Sequence, residues 1–240
     1  MKSVAVVIPA FNEESKISNV LSRLLPIVKN GDISRVVVVD DGSTDDTARI
    51  VRTYEWVTLV SYQPNKGRSA AINQGLQLVT EEWAVVFDAD LEYEPEDLIP
   101  VIGAAIDNSI VYGSRYRHEF NYRSRRFRFG PMTGQSIGPW LANGLIRILV
   151  LLVYQTWYSE HFSGIRLYPT QFLQARTWNA AGFEGDHEKA AIAMRLGLKI
   201  IEVPIKYHPR SLKEGKKIRP RDGAIAVWTY MNLRFKKLSR

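Results

Sequence analysis

Trp83-Ala84-Val85-Val86-Phe87-Asp88-Ala89-Asp90-Leu91-Glu92-Tyr93-Glu94-Pro95-Glu96-Asp97-Leu98 decides the fold. Five apolar residues run straight into an acidic turn. A run of that length, with no polar alternation, reads as a strand buried on both faces, as in a parallel sheet. Pro95 suits the first turn of a helix, predicted to run to Ile106. The same alternation surrounds it. Val4–Ile8 is an apolar run, and Ile17, Val20, Leu21, Leu24, Leu25 and Val28 then share one helical face before Gly31. Val36–Val39 is a β-branched strand, after which Ser43 or Thr44 caps a helix through Tyr54. Val57–Ser61 reads as a strand, Ser69–Val79 as a helix and Ile110–Gly113 as a strand. Strands alternating with helices predict an α/β fold with a mostly parallel central sheet.

Ligands of such sheets bind outside the carboxyl ends of the strands. Pro9-Ala10-Phe11, Asp40-Asp41 and Asp88-Ala89-Asp90 all fall there. Two carboxylates one residue apart can hold a hard divalent cation against a diphosphate. Alone, such a pair is more often a turn or a helix cap; three motifs converging on one rim argue for a site.

The chain has 240 residues, 45% hydrophobic and 24% charged, enough for one sizeable domain. It has no Cys, which excludes a disulfide framework, a thiol nucleophile and a zinc–thiolate site. The start, MKSVAVVIPAFNEE, reads as a first strand, since its apolar run is too short for a secretory signal. The net charge is +7, and the excess is clustered. Arg115, Arg117, Arg123, Arg125, Arg126 and Arg128 form one group, Arg210, Lys213, Lys216, Lys217, Arg219 and Arg221 a second, and Arg234, Lys236, Lys237 and Arg240 close the chain. Basic patches attract nucleic acid, anionic lipid or phosphorylated substrates, although any single Lys or Arg is more often a solvated surface group.

The second half is patterned differently. Residues 130–144 hold four Gly and two Pro without a charge. Trp140–Tyr158 is apolar and aromatic, interrupted by Arg147, and its uncharged run Ile148–Ser159 is twelve residues. A membrane span needs ~20, so a core helix or one in the membrane interface is expected. Ile225, Trp228, Met231, Asn232 and Phe235 share a helical face beside Arg234, Lys236 and Lys237. That pattern suits a basic amphipathic helix on an anionic bilayer, or equally a helix packed on the sheet.

The segments VVIPAFNEE, VVVVDDGSTDDT, NKGRSAAINQGL, VVFDADLEYEPEDL and VYGSRY, in this order, followed by EVPIKYHPRSLKEGKKIRPRDG, resemble the inverting family 2 glycosyltransferases of the GT-A fold. Within them the chain is similar to the dolichol-phosphate mannose synthase branch and its bacterial polyprenyl-phosphate relatives. The resemblance spans residues 3 to about 225. It implies a GT-A (Rossmann-like) domain over 1–222, with a nucleotide-binding half over 1–115 and an acceptor-binding half over 116–222. The basic amphipathic helix follows over 223–240.

The resemblance also implies roles. Pro9, Ala10 and Glu13 border the donor nucleotide. Asp40, with Asp41 beside it, faces the base, where a carboxylate can accept from an imide N–H; a cap for the next helix is the plain alternative. Lys66, Gly67 and Arg68 match the family's Asn-x-Gly stretch, with Gly67 turning the backbone close to the nucleotide. Asp88, Ala89 and Asp90 form the acidic motif, Asp90 being the direct metal ligand. Glu92 completes a metal set where the synthases usually carry Gln. Arg115 meets the acceptor phosphate, helped by Arg126, Arg128 and Arg166, since a fork of N–H donors suits a phosphate. Glu160 stands where the family has Asp, and His161 reads as a packed or surface residue. Glu188 orients the sugar or acts as base, so Asp88, Asp90 and Glu188 are the catalytic set. Arg210 and Lys216 close over the diphosphate.

The expected activity is transfer of a hexose, mannose or glucose, from a GDP- or UDP-sugar to a polyprenyl phosphate with Mg²⁺ or Mn²⁺. The expected place is the cytoplasmic face of a membrane, held peripherally, because the chain stops at Arg240 just after its basic helix. Nucleic acid is not an expected partner. Rival readings are a family 2 enzyme with a sugar or glycolipid acceptor, a non-catalytic basic membrane- or nucleic-acid-binding module, and a nucleotidyltransferase. The last lacks a Gly-rich triphosphate loop at residues 9–15.

Overall fold

In the computed structural model, which describes residues 2–116, 137–178, 184–208 and 220–236, seven strands form one sheet. In chain order they are β1 (Val4–Ala10), β2 (Arg35–Asp40), β3 (Val57–Ser61), β4 (Trp83–Val86), β5 (Ser109–Ser114), β6 (Arg166–Pro169) and β7 (Lys199–Pro204). Their order across the sheet is β3-β2-β1-β4-β6-β5-β7. The first four pair in parallel, β6 runs antiparallel to both neighbours, and β5 and β7 are again parallel. The expected β5 is present, but β6 from the second half is wedged between it and β4. Only four residues long, β6 carries no apolar run that marks it in the sequence.

The helices are α1 (Ile17–Lys29), α2 (Thr47–Val51), α3 (Arg68–Leu76), α4 (Leu98–Gly103), α5 (Ile137–Tyr154), α6 (Thr170–Gln174), α7 (Glu184–Arg195) and α8 (Pro220–Phe235). Alternation along β1 explains their two layers. Val4, Val6 and Ile8 point to one face, where they meet Ile17, Val20, Leu21 and Leu24 of α1 and Leu98 and Val101 of α4. Ala5 and Val7 point to the other, in a core with Ile72 and Leu76 of α3, Phe172 of α6, Ile146 and Val150 of α5 and Tyr230 of α8.

Three helices are shorter than the sequence suggests, α3 ending at Leu76 rather than Val79. The span 95–106 divides into a 3₁₀ turn at Pro95–Asp97 followed by α4. The helix expected from Ser43 begins only at Thr47, because the preceding residues are held by the loop after β1. The Asn12 side-chain oxygen accepts from the Thr44 N–H (2.8 Å), Ser43 Oγ accepts from the Asn12 N–H (3.0 Å), and Glu14 accepts from the Asp46 N–H (2.9 Å).

The second half supplies α5, α7 and α8, which pack together. Tyr154 Oη donates to the Tyr230 carbonyl (2.7 Å) and Arg234 Nε to the Val153 carbonyl (3.0 Å). α8 buries Ala226, Thr229, Tyr230 and Leu233. Its other face, the Ile225–Trp228–Met231–Phe235 face read from the sequence, points outward, with Trp228 66% and Phe235 79% exposed. α5 likewise turns Leu141, Leu145, Ile148 and Leu152 outward. Among the described residues no helix is long and apolar enough to cross a membrane.

Gly75 of α3 sits against the sheet, where a Cβ would stand 2.6 Å from Val7 Cγ1 and 2.9 Å from Val39 Cγ2. Both neighbours are β-branched and stiff. Gly75→Val is therefore expected to cost about 1–3 kcal/mol of stability in a urea melt, and an unchanged midpoint would show that α3 does not pack as described.

Candidate functional site

The parallel register brings the carboxyl ends of β1, β2 and β4 to one rim. Ala10 lies opposite Asp40, and Asp88 follows β4 by one residue beyond Phe87. Pro9 and Ala10 end β1, and the Ala10 carbonyl accepts from the Asp41 N–H (2.8 Å). Glu13 is buried, pairs with Lys16 (3.0 Å), and its N–H donates to Thr47 Oγ1 (2.8 Å).

Asp40 and Asp41 serve the rim structurally. Asp40 accepts from the Ser43 N–H (3.0 Å) and the Ser61 hydroxyl (2.7 Å), which braces the turn after β2. It caps a turn and not a helix, since α2 starts only at Thr47. Asp41 accepts from the Lys66 and Gly67 N–H groups, both at 2.8 Å, and so ties the end of β2 to the loop before α3. Gly67 takes a φ of 95°, a conformation that glycine adopts without strain. Lys66 lays its ammonium over the Tyr62 ring at 4.8 Å.

Asp88 is the centre of an ion cluster. Arg68 Nε donates to its Oδ1 (2.8 Å) and Nη2 to its Oδ2 (3.2 Å), while Nη1 reaches Asp186 of α7 (2.8 Å). Arg166 approaches the same Asp186 at 3.7 Å. Burial pushes the Asp88 carboxyl above its ordinary range; Arg68 opposes the rise, and the nearby Asp90 and Asp186 add to it. Asp186 moves the other way, as Arg166 and Arg68 overcome its burial and hold it ionised. Gly164 abuts Asp88: a Cβ there would overlap Asp88 Oδ2 and stand 2.8 Å from the Tyr93 ring. Asp90 accepts from the Glu92 N–H (3.1 Å), and the Glu92 carbonyl accepts from the His208 N–H (2.8 Å).

The expected acceptor-side arginines divide. Arg115 is buried and forms a two-pronged pair with Glu160, Nε and Nη2 each 2.7 Å from a carboxylate oxygen, and its guanidinium also lies 4.7 Å from the Tyr207 ring. Glu160 thus uses the longer reach that replaces Asp to brace Arg115. Arg166, expected at the acceptor phosphate, is instead sealed in the core. Its Nε and Nη2 donate to the Ser163 (3.0 Å) and His161 (2.7 Å) carbonyls, and it stacks on Tyr112. Antiparallel β6 carries it into the core, beside Asp186 of the ion cluster. Arg126, Arg128, Arg210 and Lys216 lie outside the described residues.

Glu188 is carried on α7, and its Oε2 is buried without a hydrogen-bond partner among the described residues. Its neighbours are unusual. Burial and Arg166 lower the His187 imidazole to about 3, despite Asp186, and burial lowers the Lys189 ammonium to about 8. His161 is buried, as a packed histidine should be, with Nδ1 3.4 Å from the Tyr230 hydroxyl.

Residues 5–152 match glycosyl transferase family 2. The chain belongs to that family. The glycosyltransferase is 28% identical to the UDP-N-acetylglucosamine–dolichyl-phosphate N-acetylglucosaminyltransferase of Methanococcus voltae, over 90% of this chain and 91% of the relative. It is 27% identical to the undecaprenyl-phosphate 4-deoxy-4-formamido-L-arabinose transferase of Edwardsiella ictaluri (89% and 62%). It is 26% identical to the dolichyl-phosphate beta-glucosyltransferase ALG5A of Trichomonas vaginalis (85% and 65%). In fold it resembles the glucosyl-3-phosphoglycerate synthase of Mycobacterium tuberculosis, solved with Mn²⁺, UDP and phosphoglyceric acid. The TM-score is 0.71 at 20% identity, covering 99% of this chain and 80% of that one. The GT-A fold expected from the sequence is thus present.

A divalent cation fits this glycosyltransferase in a restricted sense. The donor set after β4 is all oxygen, which suits Mg²⁺ or Mn²⁺. Asp88, Asp90 and Glu92 are not gathered into a cage, however: among the described residues no three His, Asp or Glu are placed to hold an ion together. Arg68 takes Asp88, so the fit is of the kind in which one or two carboxylates act with substrate phosphates and water.

Sequence reading missed Arg68 as the link across the site. One signal was available. A cation at the first position of a helix opposes the helix dipole, so its presence in α3 implies a carboxylate partner nearby.

The Arg115–Glu160 pair offers a direct check. Burial raises the Glu160 carboxyl, but Arg115 and two N–H donors outweigh it and hold the group below its ordinary value of 4.5. Its stabilising contribution is therefore complete above that pH and lost as pH falls through the folded-state value. Glu160→Ala should cost about 3–5 kcal/mol at pH 7, because it strands a buried guanidinium. The gap between wild type and Glu160→Gln should shrink as melts are repeated below pH 4.5; a constant gap would refute the pair's role.

Proposed function

We propose that this glycosyltransferase moves a hexose, glucose or mannose, from a UDP- or GDP-sugar to a polyprenyl phosphate with inversion, working peripherally at the cytoplasmic face of a membrane. The observation that carries the reading is the match to relatives named for dolichyl- or undecaprenyl-phosphate acceptors over 85–90% of this chain. The outward apolar faces of α5 and α8 support it, since a lipid acceptor must be met at its membrane.

The chemistry follows from the acceptor. A phosphate monoester is already largely ionised near neutral pH, with a second pKa of about 6. It needs little help from a base, so catalysis falls on positioning and electrostatics. When bound, Mg²⁺ or Mn²⁺ would neutralise charge developing on the leaving nucleoside diphosphate. Asp90, with Glu92 beside it, would hold that ion. Pro9, Ala10, Glu13, Asp40, Asp41 and Lys66 frame the nucleotide. Glu160 fixes the Arg115 fork, and Arg126 and Arg128 would draw in the acceptor phosphate. Arg210 and Lys216 would cover the donor diphosphate and exclude water. Glu188 would orient the sugar or act as base.

A panel of UDP- and GDP-sugars with a short polyprenyl phosphate, read as lipid-linked product, tests the activity. Product should form with one of these donors and fall by about 10²-fold or more in Asp90→Ala with the fold intact. Near-normal turnover in that variant would refute the role of the acidic motif.

Vesicle sedimentation tests the membrane setting. Binding should be stronger on anionic than on neutral vesicles and should weaken with salt. Replacing Leu152 and Trp228 together by Ser should weaken it about tenfold. Equal binding by this variant would show that the two helices do not face lipid.

A further inference from the structure

Arg68 and Asp88 are joined more completely than a passing surface contact requires. Two guanidinium nitrogens lie parallel to the two carboxylate oxygens at 2.8 and 3.2 Å, and the third reaches Asp186 at 2.8 Å. All three side chains are largely shielded from water. Arg166 approaches Asp186 as well, so each of the two carboxylates has a guanidinium partner. Gly164 leaves no room for a side chain beside Asp88, since a Cβ there would overlap Asp88 Oδ2. A dication arriving alone would meet a carboxylate already neutralised and a guanidinium that repels it.

We propose that Arg68 is the resident counter-cation of Asp88, so that a divalent metal binds this enzyme productively only in company with a nucleoside diphosphate. The diphosphate brings the negative charge and the oxygen ligands that Asp88 does not offer. Arg68 is in this account a positioning residue that sets the order of assembly at the donor site and keeps a free metal ion from occupying it. The inference rests on the glycosyltransferase reading of the site, yet it concerns metal binding before any donor or acceptor is present.

The test is a titration of the full chain with Mn²⁺ and no nucleotide, following the free-ion signal by electron paramagnetic resonance. Removing Arg68 strands the Asp88 carboxylate and creates a cation site. Arg68→Gln should therefore bind Mn²⁺ about tenfold more tightly than wild type. Asp88→Asn should bind it like wild type, because Asp88 is already engaged. The double variant should lose the gain, which separates a specific site from a general change in charge. No tightening in a folded Arg68→Gln protein, a gain that persists in the double variant, or a tenfold weakening in Asp88→Asn would each overturn the proposal. Asp88→Asn keeps the test decisive even if Arg68→Gln fails to fold. None of these readouts uses sugar transfer, so a failed transfer assay and a failed titration point to different errors.

Discussion

The structure turns on the link Asp88–Arg68–Asp186. It joins the carboxyl end of β4 to α7, elements separated by about a hundred residues of chain. Buried charges are costly to remove from water, and only close, hydrogen-bonded geometry offsets that cost. The fork on Asp88 and the third donor on Asp186 meet this requirement. The carboxylates at the base of the rim are thus each held by a guanidinium. The clusters of Lys and Arg at 123–128 and 210–221, which carry a surplus of positive charge in the sequence, lie mostly outside the described residues.

A second layer of buried polar contacts lies beneath. Arg115–Glu160 and the Arg166 guanidinium on its two carbonyls fix the strands of the second half. Tyr230 of α8 extends the layer outward. Its hydroxyl lies 2.6 Å from that of Tyr158 and 3.4 Å from Nδ1 of both His161 and His187. His187 is the neighbour of Asp186 on α7. The helix whose apolar face looks outward is thus in hydrogen-bonding contact with the helix that carries the site acids. The outward apolar face of α8 and the acidic rim are parts of one packed unit.

Much of this was legible in the sequence. Val36–Val39 and Trp83–Phe87 are uninterrupted apolar runs, and only burial on both faces explains such runs, so the parallel half of the sheet followed. The rim followed too, since Ala10, Asp40 and Asp88 close their strands. β6 was not legible, because Arg166–Pro169 is short and takes its order from its neighbours. The start of α2 was misplaced because Asn12 and Glu14, far away in sequence, hold the residues that local capping rules would put in the helix. Periodicity identified the Trp228 face of α8 correctly, but it could not say which face Tyr230 and Ala226 would bury. Arg68 was quoted for its motif and not for its charge, and its role appears only when α7 is folded against β4.

The most direct test of the account is a crystal structure with Mn²⁺ and UDP or GDP bound. It should show the diphosphate over the carboxyl ends of β1 and β4, with the ion between Asp90 and the phosphate oxygens. A nucleotide bound elsewhere, or an ion that does not touch the acidic turn after β4, would contradict it.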